Sequence, residues 1–264
     1  MDSLDKLEEI RKHRQEVETE GISDEEIRSF LSSDPTLAQA IDNAYGVYQC
    51  LLEQDASRFK KGERELITQL QDGYLNFYPA ETVSPYVPLA GKGPWIVTTC
   101  GAVVYDTGGY GMIGLGHDPD SVREALSRPF AMANIMTPSF SQERFMKRLR
   151  QKIGFRRKDG KCPYEKFICM NSGSEAGAVG GRISDAHAKM MTDPGARHEG
   201  KALRCVSLIG SFHGRTTRPA RVSLSTRKKY QVLASFRDLD NLYAVEPNDI
   251  DALTAAYEKA DKEN

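Results

Sequence analysis

The spacing of hydrophobic positions changes character along this chain. Up to about residue 70 apolar side chains recur every three or four positions, and beyond residue 95 they come in short runs between polar stretches. Leu37, Ile41, Tyr45, Tyr48 and Leu52 form a one-sided stripe that predicts a helix, opened by Asp34 as N-cap with Pro35 at the first helical position. Ser23 and Glu26 have capping-box spacing and predict a helix over 24–31. Residues 63–70 predict another. The first 80 residues or so therefore read as helical, with no visible chemistry: an extension packed on the main body or on a partner subunit.

Residues 78–94 are rich in proline and glycine and read as a loop or extended crossing segment. Strand character appears at 95–97 and 102–105, and helices are predicted over 120–127 and 141–153, the second with Phe145, Leu149 and Ile153 on one face. Apolar runs at 166–170, 204–209 and 242–245 then alternate with helical stretches at 175–191 and 249–261. This alternation predicts an α/β fold with a mainly parallel sheet flanked by helices, where sites lie at the carboxyl ends of strands. The expected division is a helical N-terminal extension with its connecting segment over 1–94, followed by the start of a large domain over 95–264.

Composition narrows the class. The chain has 264 residues, 28% charged and 39% hydrophobic, an ordinary soluble balance. A formal net charge of -1 gives no electrostatic argument for nucleic acid or an anionic membrane. No apolar run has the length of a membrane span, and the N-terminus is too acidic for a signal peptide. The five cysteines are scattered without a CxxC pair, which points to reduced thiols and a cytoplasmic setting rather than zinc or disulfides.

The chemistry concentrates at two strand ends. Asn171-Ser172-Gly173-Ser174-Glu175-Ala176 follows the apolar run 167–170 and precedes a helix. Such a turn aims backbone N–H groups at one spot, which also feels the positive end of the helix dipole, so it is a phosphate cup. The same residues also make a routine N-cap cluster. Ser211-Phe212-His213-Gly214-Arg215-Thr216 closes the next apolar run and offers an aromatic face with an arginine nearby. Together the two ends point to a phosphorylated aromatic cofactor. Taken alone, Phe212 would be a core residue and Arg215 a surface one. Gly109-Tyr110-Gly111-Met112-Ile113-Gly114 spells a dinucleotide fingerprint, but no helix follows it directly and no acid sits at the required distance. His117 and His213 lack a second ligand at metal spacing, and His187 and His198 read as solvated.

These motifs, in this order, resemble the class III (ω-amino acid) family of pyridoxal-phosphate-dependent aminotransferases. The family carries Asn-Ser-Gly-[Ser/Thr]-Glu-Ala at its phosphate cup and aromatic-His-Gly-Arg at its ring-stacking strand. Val104-Tyr105-Asp106, with Gly114-Leu115-Gly116-His117-Asp118-Pro119, is similar to the segment that leads into the family's large domain, the proline standing one position early. The resemblance covers about 95–245 and implies a fold type I architecture, pyridoxal 5'-phosphate as cofactor, small-molecule amino donor and 2-oxo acid as partners, and a homodimer. It implies that Gly173 and Ser174 hold the phosphate, that Phe212 stacks on the ring, and that Arg215 approaches a substrate carboxylate, with Arg218 and Arg221 as alternatives.

The family's Asp-Glu-[Val/Ile]-Gln strand is absent, and Lys228, Lys229, Lys259 and Lys262 all stand in polar contexts unlike a Schiff-base lysine. The expectation is thus an aminotransferase fragment whose large domain is incomplete, with no catalytic residue in this chain and an apolar sheet edge that drives self-association. The alternative is a non-catalytic phosphate-binding or dimerisation scaffold. Gly177, Gly180 and Gly181 should leave the helix after the cup dependent on tight packing. Gly173 is expected to be the most sensitive cofactor position, if its turn needs a left-handed backbone or close approach of the phosphate.

Overall fold

The computed structural model describes residues 1–13, 15–75, 80–129, 136–236 and 241–263. Packing divides the chain into two units, Met1–Met132 and Ala133–Asn264.

In the first unit, α1 (Ser3–Arg11), α2 (Asp24–Ser33), α3 (Pro35–Asp55) and α4 (Glu63–Leu70) precede three strands and α5 (Asp120–Leu126). The strands β1 (Pro88–Lys92), β2 (Trp95–Thr98) and β3 (Val103–Tyr105) form an antiparallel sheet in that order. Short turns join them, and short turns permit only antiparallel pairing. Leu37, Ala40, Ile41, Ala44 and Tyr48 of α3 are buried against Leu7, Ile10, Ile27, Trp95, Val97 and Val103. Tyr45 and Leu52 of the expected stripe lie at the margin of this core, half-buried. The Ser23–Glu26 capping box forms with both reciprocal bonds.

Asp34 does more than cap. Its Oδ1 accepts from the Thr36 N–H at 2.9 Å and the Thr36 hydroxyl at 2.6 Å, while Oδ2 accepts from Trp95 Nε1 at 2.8 Å. One carboxylate therefore starts α3 and fixes β2 against it. The Thr36 hydroxyl, with the Trp95 indole after it, holds the Asp34 carboxyl below its ordinary range against the opposing effect of burial. A depressed native pKa gives stability that is present above the ordinary carboxylate range and lost as pH falls through the native value. Asp34→Asn is expected to destabilise this unit by about 1 kcal/mol at pH 7, with the difference closing below about pH 4. Urea unfolding at pH 7 and pH 3 checks it, and a gap of equal size at both pH values would contradict it.

The second unit contains α6 (Phe140–Lys152), α7 (Gly173–Thr192), β4 (Cys205–Leu208), α8 (Thr217–Val222), α9 (Arg227–Tyr230), β5 (Leu242–Val245) and α10 (Ile250–Lys262). Strands β4 and β5 pair in parallel, Cys205 opposite Leu242 through Leu208 opposite Val245, with α8 and α9 in the crossover. Ser207 is buried on this pair and donates to the Val222 carbonyl at 2.6 Å, tying β4 to α8.

Three expectations are corrected. Among the described residues parallel pairing is confined to β4 and β5 and one isolated bridge between Gln15 and Gly62, so the mainly parallel sheet is not present and the larger sheet is antiparallel. The apolar run at 166–170 makes no strand, and Ile168 and Met170 are exposed. Four apolar residues satisfy a strand pattern, but a strand exists only where a neighbour takes its backbone hydrogen bonds. Within the expected loop 78–94, residues 88–92 form β1, with Pro88 at the first position, where a strand tolerates proline. Tyr78 and Pro79 lie outside the described residues. No helix among the described residues is long and apolar enough to cross a membrane.

Candidate functional site

Gly173 and Ser174 occupy the first turn of α7. Ser172 is the N-cap, and its hydroxyl accepts from the Glu175 N–H at 3.2 Å. Among the described residues no acceptor meets the N–H groups of Gly173 and Ser174, the orphan donors that every helix start presents. Gly173 does not adopt the left-handed backbone, and a Cβ built on it would meet nothing within 4 Å. The condition of a left-handed turn at this position is therefore not met, and the space in front of it is open.

The second motif follows β4 and folds onto the first. Ser174 Oγ accepts from the Arg215 N–H at 3.0 Å, and the Thr216 hydroxyl donates to the Ser174 carbonyl at 3.2 Å. Gly214 makes this approach possible. Its φ is +123°, and a Cβ there would stand 2.6 Å from Ser174 Oγ and 2.7 Å from Ser174 Cα. On the next turn of α7, a Cβ on Gly177 would lie 3.0 Å from the His213 carbonyl oxygen and 3.3 Å from Pro219 Cγ. The glycines of α7 thus divide by role: Gly177 admits the 213–219 segment, while Gly180 faces open space. Ser223 finishes the loop. Buried, it accepts from the His213 N–H at 2.9 Å and donates to the Pro219 carbonyl at 2.8 Å.

Phe212 is 54% exposed beside this junction, and the Arg215 guanidinium carbon lies 5.4 Å from its ring centroid, a cation–π contact on one face. Phe212 is thus not a core residue. Arg218 pairs with Asp185 of α7, and Arg221 donates to the Ser235 carbonyl at 3.3 Å. A cleft of about 680 Å³ runs beside these groups, lined in part by Gly181, Asp185, Cys205, His213, Arg218 and Asn241. Lys228, Lys229, Lys259 and Lys262 are exposed.

The third motif builds a separate arrangement in the first unit. Asp106 Oδ1 accepts from the Gly108 and Gly109 N–H groups at 2.9 and 2.6 Å, and Oδ2 lies 2.9 Å from His117 Nε2. The Gly109 and Gly108 amides, in that order, with His117 after them, hold the Asp106 carboxyl below its ordinary range. His117 and Gly93 exchange two backbone hydrogen bonds, so the loop closes on the β1–β2 turn. Next to it the buried Lys92 ammonium reaches Asp120 at 2.5 Å and the Asp118 carboxylate at 3.4 Å. The residues that spell the dinucleotide fingerprint form a 3-10 turn over Gly109–Gly111 with no helix behind it. Sequence spacing separates Asp106 from His117, and only closure of the loop pairs them. Among the described residues no cluster of ligand side chains could hold a metal.

The fold is similar to that of two solved structures of the ornithine aminotransferase from Toxoplasma gondii, with TM-scores of 0.54 and 0.52 and 19% and 18% identity. Each match covers 75% of this chain and 43% of the aminotransferase chain, so this chain spans less than half the length of those it resembles. The second of them was crystallised in the presence of oxidised glutathione and shows partial occupancy of pyridoxal phosphate at its active site. No family model matches the chain, and no curated protein matches its sequence.

Proposed function

We propose that this chain is part of a class III-like pyridoxal-phosphate aminotransferase, one that moves an amino group from an amine or ω-amino acid to a 2-oxo acid. The observation that carries the reading is the Ser174–Arg215 bond, which joins the α7 N-terminus to the loop after β4 and so brings both motifs to one place. The residues present fit the phosphate end of the cofactor. Two orphan helix-start amides stand beside a serine hydroxyl whose proton is free to be donated, because Ser174 Oγ acts as acceptor toward Arg215. The helix dipole adds to the attraction for an anion.

In this reading Gly173 and Ser174 hold the phosphate and Phe212 lies against the cofactor ring. In the same reading Arg215, which lies next to Phe212, orients a substrate carboxylate. When bound, pyridoxal phosphate supplies the conjugated ring that serves as electron sink. The likeness of fold to ornithine aminotransferase supports the family, and a homodimer is part of the same proposal.

Titration of the full chain with pyridoxal phosphate, followed by its absorbance or by calorimetry, tests the reading. Ser174→Ala is expected to weaken binding by about 1–2 kcal/mol, roughly ten-fold in Kd, with inorganic phosphate competing for the same site. Equal affinity in Ser174→Ala and the unmodified chain would remove Ser174 from the phosphate site. The exposure of the four lysines after Phe212 favours a second reading, a phosphate-binding scaffold without chemistry of its own. Borohydride reduction in the presence of the cofactor tests this second reading: a stoichiometric adduct on one lysine would exclude the scaffold and assign a Schiff-base lysine to this chain.

A further inference from the structure

The first unit contains a polar site that the proposed chemistry does not use. Glu63, at the start of α4, is 1% exposed, and its Oε2 accepts from the Glu18 N–H at 2.7 Å and the Thr19 N–H at 2.8 Å. Its other oxygen, Oε1, is buried without a hydrogen-bond partner among the described residues, and so is the Thr99 hydroxyl after β2. Both residues line a single small cavity of about 10 Å³, together with Arg58, Phe59, Lys61, Leu66 and Cys100. A buried polar atom without a partner is rare, and two that border one cavity are not independent accidents.

We propose that this cavity is the binding site of one structural water molecule bridging Glu63 Oε1 and Thr99 Oγ1. The volume fits a single water and no organic ligand. The chemistry fits as well. A carboxylate oxygen can only accept, so the water donates one hydrogen to Glu63. The Thr99 hydroxyl donates to the water oxygen or accepts its second hydrogen. The bridge ties the turn after β2 to the start of α4, which Glu63 Oε2 and the Arg64–Glu18 bond already join to the chain before α2.

The sign of one substitution decides it. In urea unfolding of the full chain, followed by fluorescence of Trp95, the only tryptophan, Thr99→Val removes one partner of the water while keeping the side-chain shape. It is expected to lower the folding equilibrium constant about ten-fold, whereas Thr99→Ser, which keeps the hydroxyl, changes it less. If the hydroxyl were an unpaired liability, Thr99→Val would be as stable as the unmodified chain or more so, and that result would overturn the proposal. A crystal structure of the unmodified chain gives the second measurement. Density for one water within hydrogen-bond distance of both oxygens is expected. A direct Thr99–Glu63 contact that closes the cavity, or a metal cation in it, would refute the assignment.

Discussion

Gly214→Ala is expected to destabilise the second unit by about 3 kcal/mol or more and to lower affinity for pyridoxal phosphate by a factor of roughly 100. Two effects add at this position. The φ of +123° lies where side chains other than glycine are strained, at about 1–3 kcal/mol. A methyl group there would also penetrate Ser174, 2.6 Å from Oγ and 2.7 Å from Cα, and the second of these is backbone that no rotamer can move aside. The helix start and the loop must separate, which breaks the Ser174–Arg215 bond on which the site rests. Gly173→Ala is the contrasting case. Its Cβ points into open space, and alanine is the better helix former, so α7 is stabilised by about 0.5 kcal/mol. A loss of cofactor affinity in Gly173→Ala without loss of stability would report the phosphate itself. Thermal unfolding and cofactor titration of both variants check this, and a Gly214→Ala protein that melts with the unmodified chain would contradict it.

The second large effect is expected in the first unit. Trp95→Ala should cost about 4 kcal/mol, the range for removing a buried aromatic. Trp95 is 1% exposed, lies 4.9 Å from the Phe30 ring and 5.0 Å from Tyr105 between centroids, and donates its indole N–H to Asp34. Its loss opens a cavity between α3 and β2 and leaves the Asp34 carboxylate one donor short. Circular dichroism during urea unfolding measures the change, and a loss under about 1 kcal/mol would show that the core closes around the gap.

Much of this architecture was legible because its causes are local. The Ser23–Glu26 box, the Asp34-Pro35 start and the Leu37–Ile41–Tyr48 stripe depend on residues within one or two turns of each other. An N-cap cluster over 171–174 and apolar runs at 204–209 and 242–245 were legible for the same reason, and the structure puts the cap at Ser172 and the strands at 205–208 and 242–245. What the sequence hid depends on distant partners. Gly214, not Gly173, carries the left-handed backbone, because strain there is imposed by Ser174 on another element. Asp106 meets His117 only through the loop that returns to Gly93. The run 166–170 has the composition of a strand without the pairing, and β1 has the pairing behind a composition of prolines and glycines. Arg218, one of three candidate arginines for a substrate carboxylate, pairs with Asp185, which no spacing rule relates to it.

The tie between Ser174 and Arg215 also bears on the order in which this unit folds. The two residues are 41 positions apart, and closing a flexible loop of that length costs about 3 kcal/mol before any contact across it is made. Helix α7 can form early from nearby residues, but the corner that joins Ser174 to Arg215 exists only after the chain has run through β4 and returned. Contacts of such range slow folding and place the corner among the late steps. A phosphate ester that binds the closed corner and not the open chain would therefore act as a clasp: at a hundred times its dissociation constant it adds about 2.7 kcal/mol to the folded state.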